Sequence, residues 1–157
     1  SPAAAPQARV HIAGEGPMEP ALRRAVPAAH ADRVRFLGAI SPHALAREYA
    51  GARLLVVPSI WKENFALAGL EAMAAATPVV ASDLGGVKEW LRDGENGLAV
   101  PPGDPRALAQ AALRLLGDAT LAARMGETAR RSAESMSMAG HAEALAALYR
   151  SCLRGPR

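Results

Sequence analysis

Five short runs of β-branched or aliphatic residues recur along the chain, each followed by a stretch of helical character, and this alternation constrains the fold more than any other feature. The runs are RVHIAG at 9–14, RVRFLG at 33–38, RLLVVPS at 53–59, TPVVAS at 77–82 and NGLAV at 96–100. Strands joined through helices pair in parallel, because a parallel neighbour is reached only by a long crossover. Strands are therefore expected at 9–13, 34–37, 54–58, 78–81 and 97–100. The expected fold class is α/β, a three-layer Rossmann-like parallel sheet with helices on both faces.

Helix boundaries are written in capping residues. Ser41-Pro42 supplies an N-cap and a proline at the first helical position, opening a helix at 43–50, and Asp104-Pro105 repeats the signal before 106–116. The GDAT stretch ends that helix and caps the next, 121–135. Further helices are expected at 19–25, where Pro27 stops the run, at 67–75 and at 141–153. With 157 residues the chain has the size of one domain. A doubly wound sheet usually begins at its centre, whereas here the first run starts at Arg9 and only five are present. The pattern points to a chain lacking its first strand.

Several function classes fall away. The net charge is +3 and the pI about 9.6, but the arginines are single and interleaved with acids, which reads as a solvated surface and gives no nucleic-acid partner. The apolar stretch at 65–81 is broken by Glu71, and the opening SPAAAPQ has no secretory pattern, so no membrane span is expected. A single cysteine, Cys152, cannot form an internal disulfide and fits a reducing, cytoplasmic compartment. His11, His30, His43 and His141 are isolated, so no metal site is expected. GEGPME lacks the third glycine of a dinucleotide fingerprint, and Ser59 lacks a nucleophile-elbow context.

Two acids remain conspicuous. Glu63 falls in the loop after the third strand, at the carboxyl edge where open α/β sheets bind ligands, and Glu71 falls inside the next helix, on a face shared with Leu67 and Ala75. A carboxylate in such apolar surroundings needs donors, and a ligand rich in hydroxyls supplies them. On spacing alone the plainer account, an arginine partner for Glu71 and a solvated Glu63, is the stronger.

The neighbouring residues shift that balance. Glu63-Asn64-Phe65-Ala66, then Glu71-Ala72-Met73-Ala74-Ala75-Ala76, then Thr77-Pro78-Val79-Val80-Ala81-Ser82 resemble the donor-binding loop, helix and strand of the retaining glycosyltransferases called group 1, or family 4, of GT-B fold. IAGEGP at 12–17, VRFLG at 34–38, the stretch 84–118 and ALYRSCL at 147–153 resemble matching segments in order. The resemblance covers nearly the whole chain, and its implications follow. Residues 1–157 would be the second, nucleotide-sugar-binding domain, with 137–157 a terminal helix, loosely attached, packing toward a first domain. Glu71 would take the ribose hydroxyls and Glu63, the catalytic candidate, the hydroxyls of the transferred sugar. Backbone N–H groups of Phe65, Ala66 and Leu67, beside Asn64, would face the diphosphate. The base would lie against Ala39, Ile40 and Ser41, near Gly14 and Gly16.

The donor is then a nucleotide-diphosphate sugar, and no cofactor or metal is implied. The acceptor, a sugar or a lipid-linked sugar, would be held by the other domain, with the full enzyme cytoplasmic or at the inner membrane face as a peripheral protein. The Arg and Lys with which the family neutralises the diphosphate would precede Ser1, so the fragment alone is expected to be inactive. Loss of a central strand between those at Arg9 and Leu54 would leave a gap, a direct pairing, or an open edge able to dimerise. Ala66 and Ala76 stand where the family carries glycine, and a positive φ at Ala66 would strain the loop. Open alternatives are a non-catalytic nucleotide-sugar-binding module, a sugar-nucleotide epimerase and a glycogen-synthase-like enzyme. Gly85-Gly86, Asp93-Gly94 and Asn96-Gly97 read as turns.

Overall fold

The structure, a computed structural model, describes residues 8–153. The alanine- and proline-rich start, 1–7, and the end of the 137–157 segment, 154–157, lie outside the described residues. The strands are β1 (Val10–Ala13), β2 (Val34–Gly38), β3 (Leu55–Val57), β4 (Val79–Ser82) and β5 (Gly97–Val100). The helices are α1 (Glu19–Ala25), α2 (Pro42–Gly51), α3 (Leu67–Ala74), α4 (Pro105–Gly117), α5 (Ala119–Ser135) and α6 (Met138–Leu153). Two 3-10 segments, Ala28–Arg33 and Gly85–Glu89, were not signalled by periodicity.

All strand pairs are parallel, but the strands divide into two sheets, ordered β1-β2 and β3-β4-β5. β1 and β3 do not pair with each other, which excludes the direct pairing among the three arrangements considered above. The caps act as the sequence indicates. The Ser41 hydroxyl accepts from Ala44 N–H, Asp104 from Arg106 and Ala107 N–H, and Asp118 from Leu121 N–H.

The core lies on both faces of β4, whose four residues are all buried. Side chains alternate along a strand, so Val79 and Ala81 join Ala72, Met73, Trp90, Ala129 and Ala133 on the face covered by α3 and α5. Val80 points to the opposite face with Leu98, Val100, Leu115 and Met125, under α4. Small alanines on α3 and α5 let those helices approach closely. Burial on both faces is what a parallel sheet with crossover helices demands.

The β1-β2 pair is joined to this core through α2. His11 on β1 reaches Glu48 on α2 at 2.7 Å, while Tyr49, one residue on, is buried in the core beside α3. The buried Thr77 hydroxyl donates to the Tyr49 carbonyl at 2.6 Å and fixes the end of α2 to the start of β4. α6 buries no residue, and Leu148, Tyr149 and Leu153 stand exposed along it. No helix among the described residues is long and apolar enough to cross a membrane.

Candidate functional site

The sequence candidates gather into two groups. The first lies at the carboxyl ends of β1 and β2. Gly14 N–H donates to the Gly38 carbonyl at 2.8 Å, and the Glu15 carboxylate accepts from Ala39 N–H at 3.2 Å, so the 14–16 turn and the 38–41 loop form one corner. The Gly16 carbonyl accepts from Glu19 N–H at the start of α1. Ala39 and Ser41 are exposed and Ile40 is half-buried, and the Ser41 hydroxyl is committed to capping α2.

The second group follows β3. Glu63 is half-buried in the loop, and the Ser59 hydroxyl donates to its Oε1 at 2.5 Å. Asn64 is exposed, and Phe65 and Ala66 are half-buried. Among the described residues the amides of Phe65, Ala66 and Leu67 have no protein acceptor, and they sit where α3 begins. Unpaired N–H groups plus the positive end of the helix dipole make such a corner attractive to anions.

Ala66 adopts φ 54°, ψ 60°, the left-handed region, and Ala76 follows suit at φ 59°. The two positions where the resemblance leads one to expect glycine are thus occupied by alanines in a conformation that disfavours a Cβ. Left-handed backbone costs an L-residue about 1–2 kcal/mol, partly offset by the extra freedom glycine has when unfolded. Ala66→Gly is therefore expected to raise Tm by about 1–3 °C in thermal denaturation, and an unchanged or lower Tm would show the turn to be unstrained.

Glu71 corrects one expectation. It is exposed rather than wrapped in apolar side chains, and Leu67, on the same helix face, is 62% exposed. The reason is the orientation of α3, which turns Gly69, Ala72 and Met73 to the core and leaves the Leu67–Glu71 side open. The protein donor to Glu71 is the Tyr49 hydroxyl, 3.2 Å from its Oε2. Burial, the Glu71 charge and this hydrogen bond push the Tyr49 phenol up to about 12.

Sequence reasoning missed what holds the loop in place. Gly86 N–H donates to the Glu63 carbonyl at 2.8 Å, and a Cβ on Gly86 would overlap the Asn64 carbonyl. Gly85, at φ 61°, abuts the Glu63 backbone in the same way. These glycines are therefore not merely a turn, because they permit two backbones to touch. Trp90, 1% exposed, packs its ring over Gly69 and donates Nε1–H to the Phe65 carbonyl at 2.6 Å. Asn96, fully buried, donates to the Trp90 carbonyl and to Ser132 Oγ while accepting from Arg92 N–H, which anchors Trp90 in turn. Lys88 remains at the surface, 3.4 Å from Asp83.

A concavity of about 440 Å³ lies elsewhere, lined by Val10, Ile12, Leu22, Val26 and Val34 together with His30 and Arg33. Its lining is mainly apolar and carries none of the chemistry above. A second, of about 230 Å³, includes Gly14, Glu15 and Gly16. Among the described residues no group of three or more His, Cys, Asp or Glu side chains converges on a common point.

Comparison with known proteins fits this geometry. The chain is 39% identical over 121 residues to D-inositol 3-phosphate glycosyltransferase of Corynebacterium glutamicum, a match spanning 77% of this chain and 29% of that one. Among solved structures it superposes on sucrose-phosphate synthase of Thermosynechococcus elongatus with TM-score 0.80 at 35% identity, covering 96% of this chain and 40% of that one. HepE of Anabaena, solved in complex with UDP-glucose, matches with TM-score 0.75 at 26% identity over 83% of this chain and 37% of that one. The chain thus spans less than a third of the first relative's length and shares the parallel α/β fold of these transferases. Residues 2–118 match the family described as glycosyl transferases group 1, and to that family the chain belongs.

Proposed function

We propose that this chain supplies the donor-binding half of a retaining glycosyltransferase that moves a hexose or related sugar from a nucleotide-diphosphate sugar to an acceptor. The observation that carries this reading is the junction of β3 and α3. There Glu63, three unpaired amides and the amino end of a helix meet within five residues. In this reading the amides of Phe65, Ala66 and Leu67 take the diphosphate, Glu63 takes hydroxyls of the transferred sugar, and Glu71 takes the ribose as a paired acceptor. The base lies against the corner of Gly14, Gly16, Ala39, Ile40 and Ser41. The UDP-glucose of HepE, bound on a similar fold, supports the ligand class. The acceptor belongs to a facing domain.

A ribose hydroxyl bound to a carboxylate is a charge-assisted donor, and such a bond is worth about 1.5–3 kcal/mol. Glu71→Ala in the full-length protein is accordingly expected to weaken nucleotide-sugar binding about 10- to 100-fold by titration calorimetry. Wild-type affinity in this variant would remove Glu71 from the site.

A further inference from the structure

We propose that Tyr49 is a positioning residue for Glu71, its hydroxyl holding one carboxylate oxygen so that the other is presented to a vicinal diol. The inference rests on the reading of Glu71 as the ribose ligand and adds a residue which that reading does not contain.

Glu71 by itself is poorly suited to precise recognition. It is exposed, and a glutamate has three rotatable bonds to be frozen when a ligand binds. Tyr49 is the opposite. It is 6% exposed, packed in the core beside Ala72 and Met73, and its carbonyl is held by Thr77. Its ring therefore cannot follow Glu71, and Glu71 must come to it.

The hydrogen bond to Oε2 leaves Oε1 without a protein partner among the described residues. A carboxylate oriented in advance loses less freedom on binding, which favours affinity without any new contact to the ligand. Because the phenol keeps its proton far above neutral pH, Tyr49 donates throughout the physiological range. Finally, α2 begins at Ser41 in the corner assigned to the base and carries Tyr49 two turns later. One rigid helix thus links the two ends of a nucleoside.

The experiment is titration of the full-length protein with UDP, GDP and ADP and with their 2′,3′-dideoxy counterparts, in the wild type, Tyr49→Phe, Glu71→Ala and the double variant. For the nucleotide that binds, Glu71→Ala should erase the preference for the ribose form. Tyr49→Phe should shrink that preference about three- to tenfold, leave dideoxy binding unchanged, and add nothing in the Glu71→Ala background. Tyr49→Phe retains the buried ring, so the fold persists. If it weakens ribose and dideoxy forms equally, or neither, while Glu71→Ala still erases the preference, Tyr49 is a packing residue and the inference fails alone. If Glu71→Ala leaves the preference intact, or no nucleotide binds, the reading of the site fails and takes the inference with it.

Discussion

Glu63→Gln in the full-length transferase is expected to lower kcat about a hundredfold or more while changing KM for the nucleotide sugar less than about threefold. The side chain is nearly isosteric, so the loop keeps its shape, and the Ser59 hydroxyl can still donate to the amide oxygen. What disappears is the charge. An ionised acceptor facing a sugar that gains positive character as the leaving group departs acts mainly in the transition state, and a loss of about 3 kcal/mol there is more than a hundredfold in rate. Steady-state kinetics with the cognate donor separates this from a binding defect. A variant with wild-type kcat would show that the proposed role of Glu63 is wrong.

Trp90→Ala is expected to produce the largest loss of stability. The residue is 1% exposed, and its ring fills the space that the missing Cβ of Gly69 leaves open. Removal of such a side chain costs about 3–5 kcal/mol, or about 10 °C in Tm for a domain of this length. The Phe65 carbonyl also loses its donor, and that carbonyl belongs to the loop bearing the unpaired amides. Thermal unfolding should therefore be accompanied by weakened binding even below the transition. Trp90→Phe keeps most of the apolar contact but not the hydrogen bond, so it should regain stability more fully than ligand affinity. Equal recovery of both would disconnect Trp90 from the loop.

How far the sequence discloses this arrangement depends on the range of the interactions. Caps are local: Ser41, Asp104 and Asp118 each bond within three residues, and each is readable as a serine or aspartate preceding a helical run. β4 was legible because burial on both faces leaves an uninterrupted apolar run, Val79-Val80-Ala81, and β4 and β5 occupy the expected places to within one residue. Glu63 and Glu71 were legible through the motif around them. Trp90 and Gly86 were not, because their partners, Phe65 and Glu63, are more than twenty residues away and are backbone atoms, which leave no signature of residue type. Tyr49 escaped for a related reason. A tyrosine on an amphipathic helix reads as core, and only the packing of α2 on α3 brings its hydroxyl to a carboxylate. The Gly85–Glu89 segment escaped because one 3-10 turn has no periodicity to detect.

The division of the strands into β1-β2 and β3-β4-β5 has a mechanical meaning. The two sheets share no ladder, and α2 is the beam between them, tied to β1 by His11–Glu48 and to β4 by the bond from Thr77 to the Tyr49 carbonyl, both near its carboxyl end. A ligand whose base rests on the 14–41 corner and whose phosphates rest on α3 spans that division. It then behaves as a non-covalent cross-link. If the proposed placement of the nucleotide holds, its binding energy would favour the present spacing of the two sheets, because only that spacing lets one molecule reach both ends of the site.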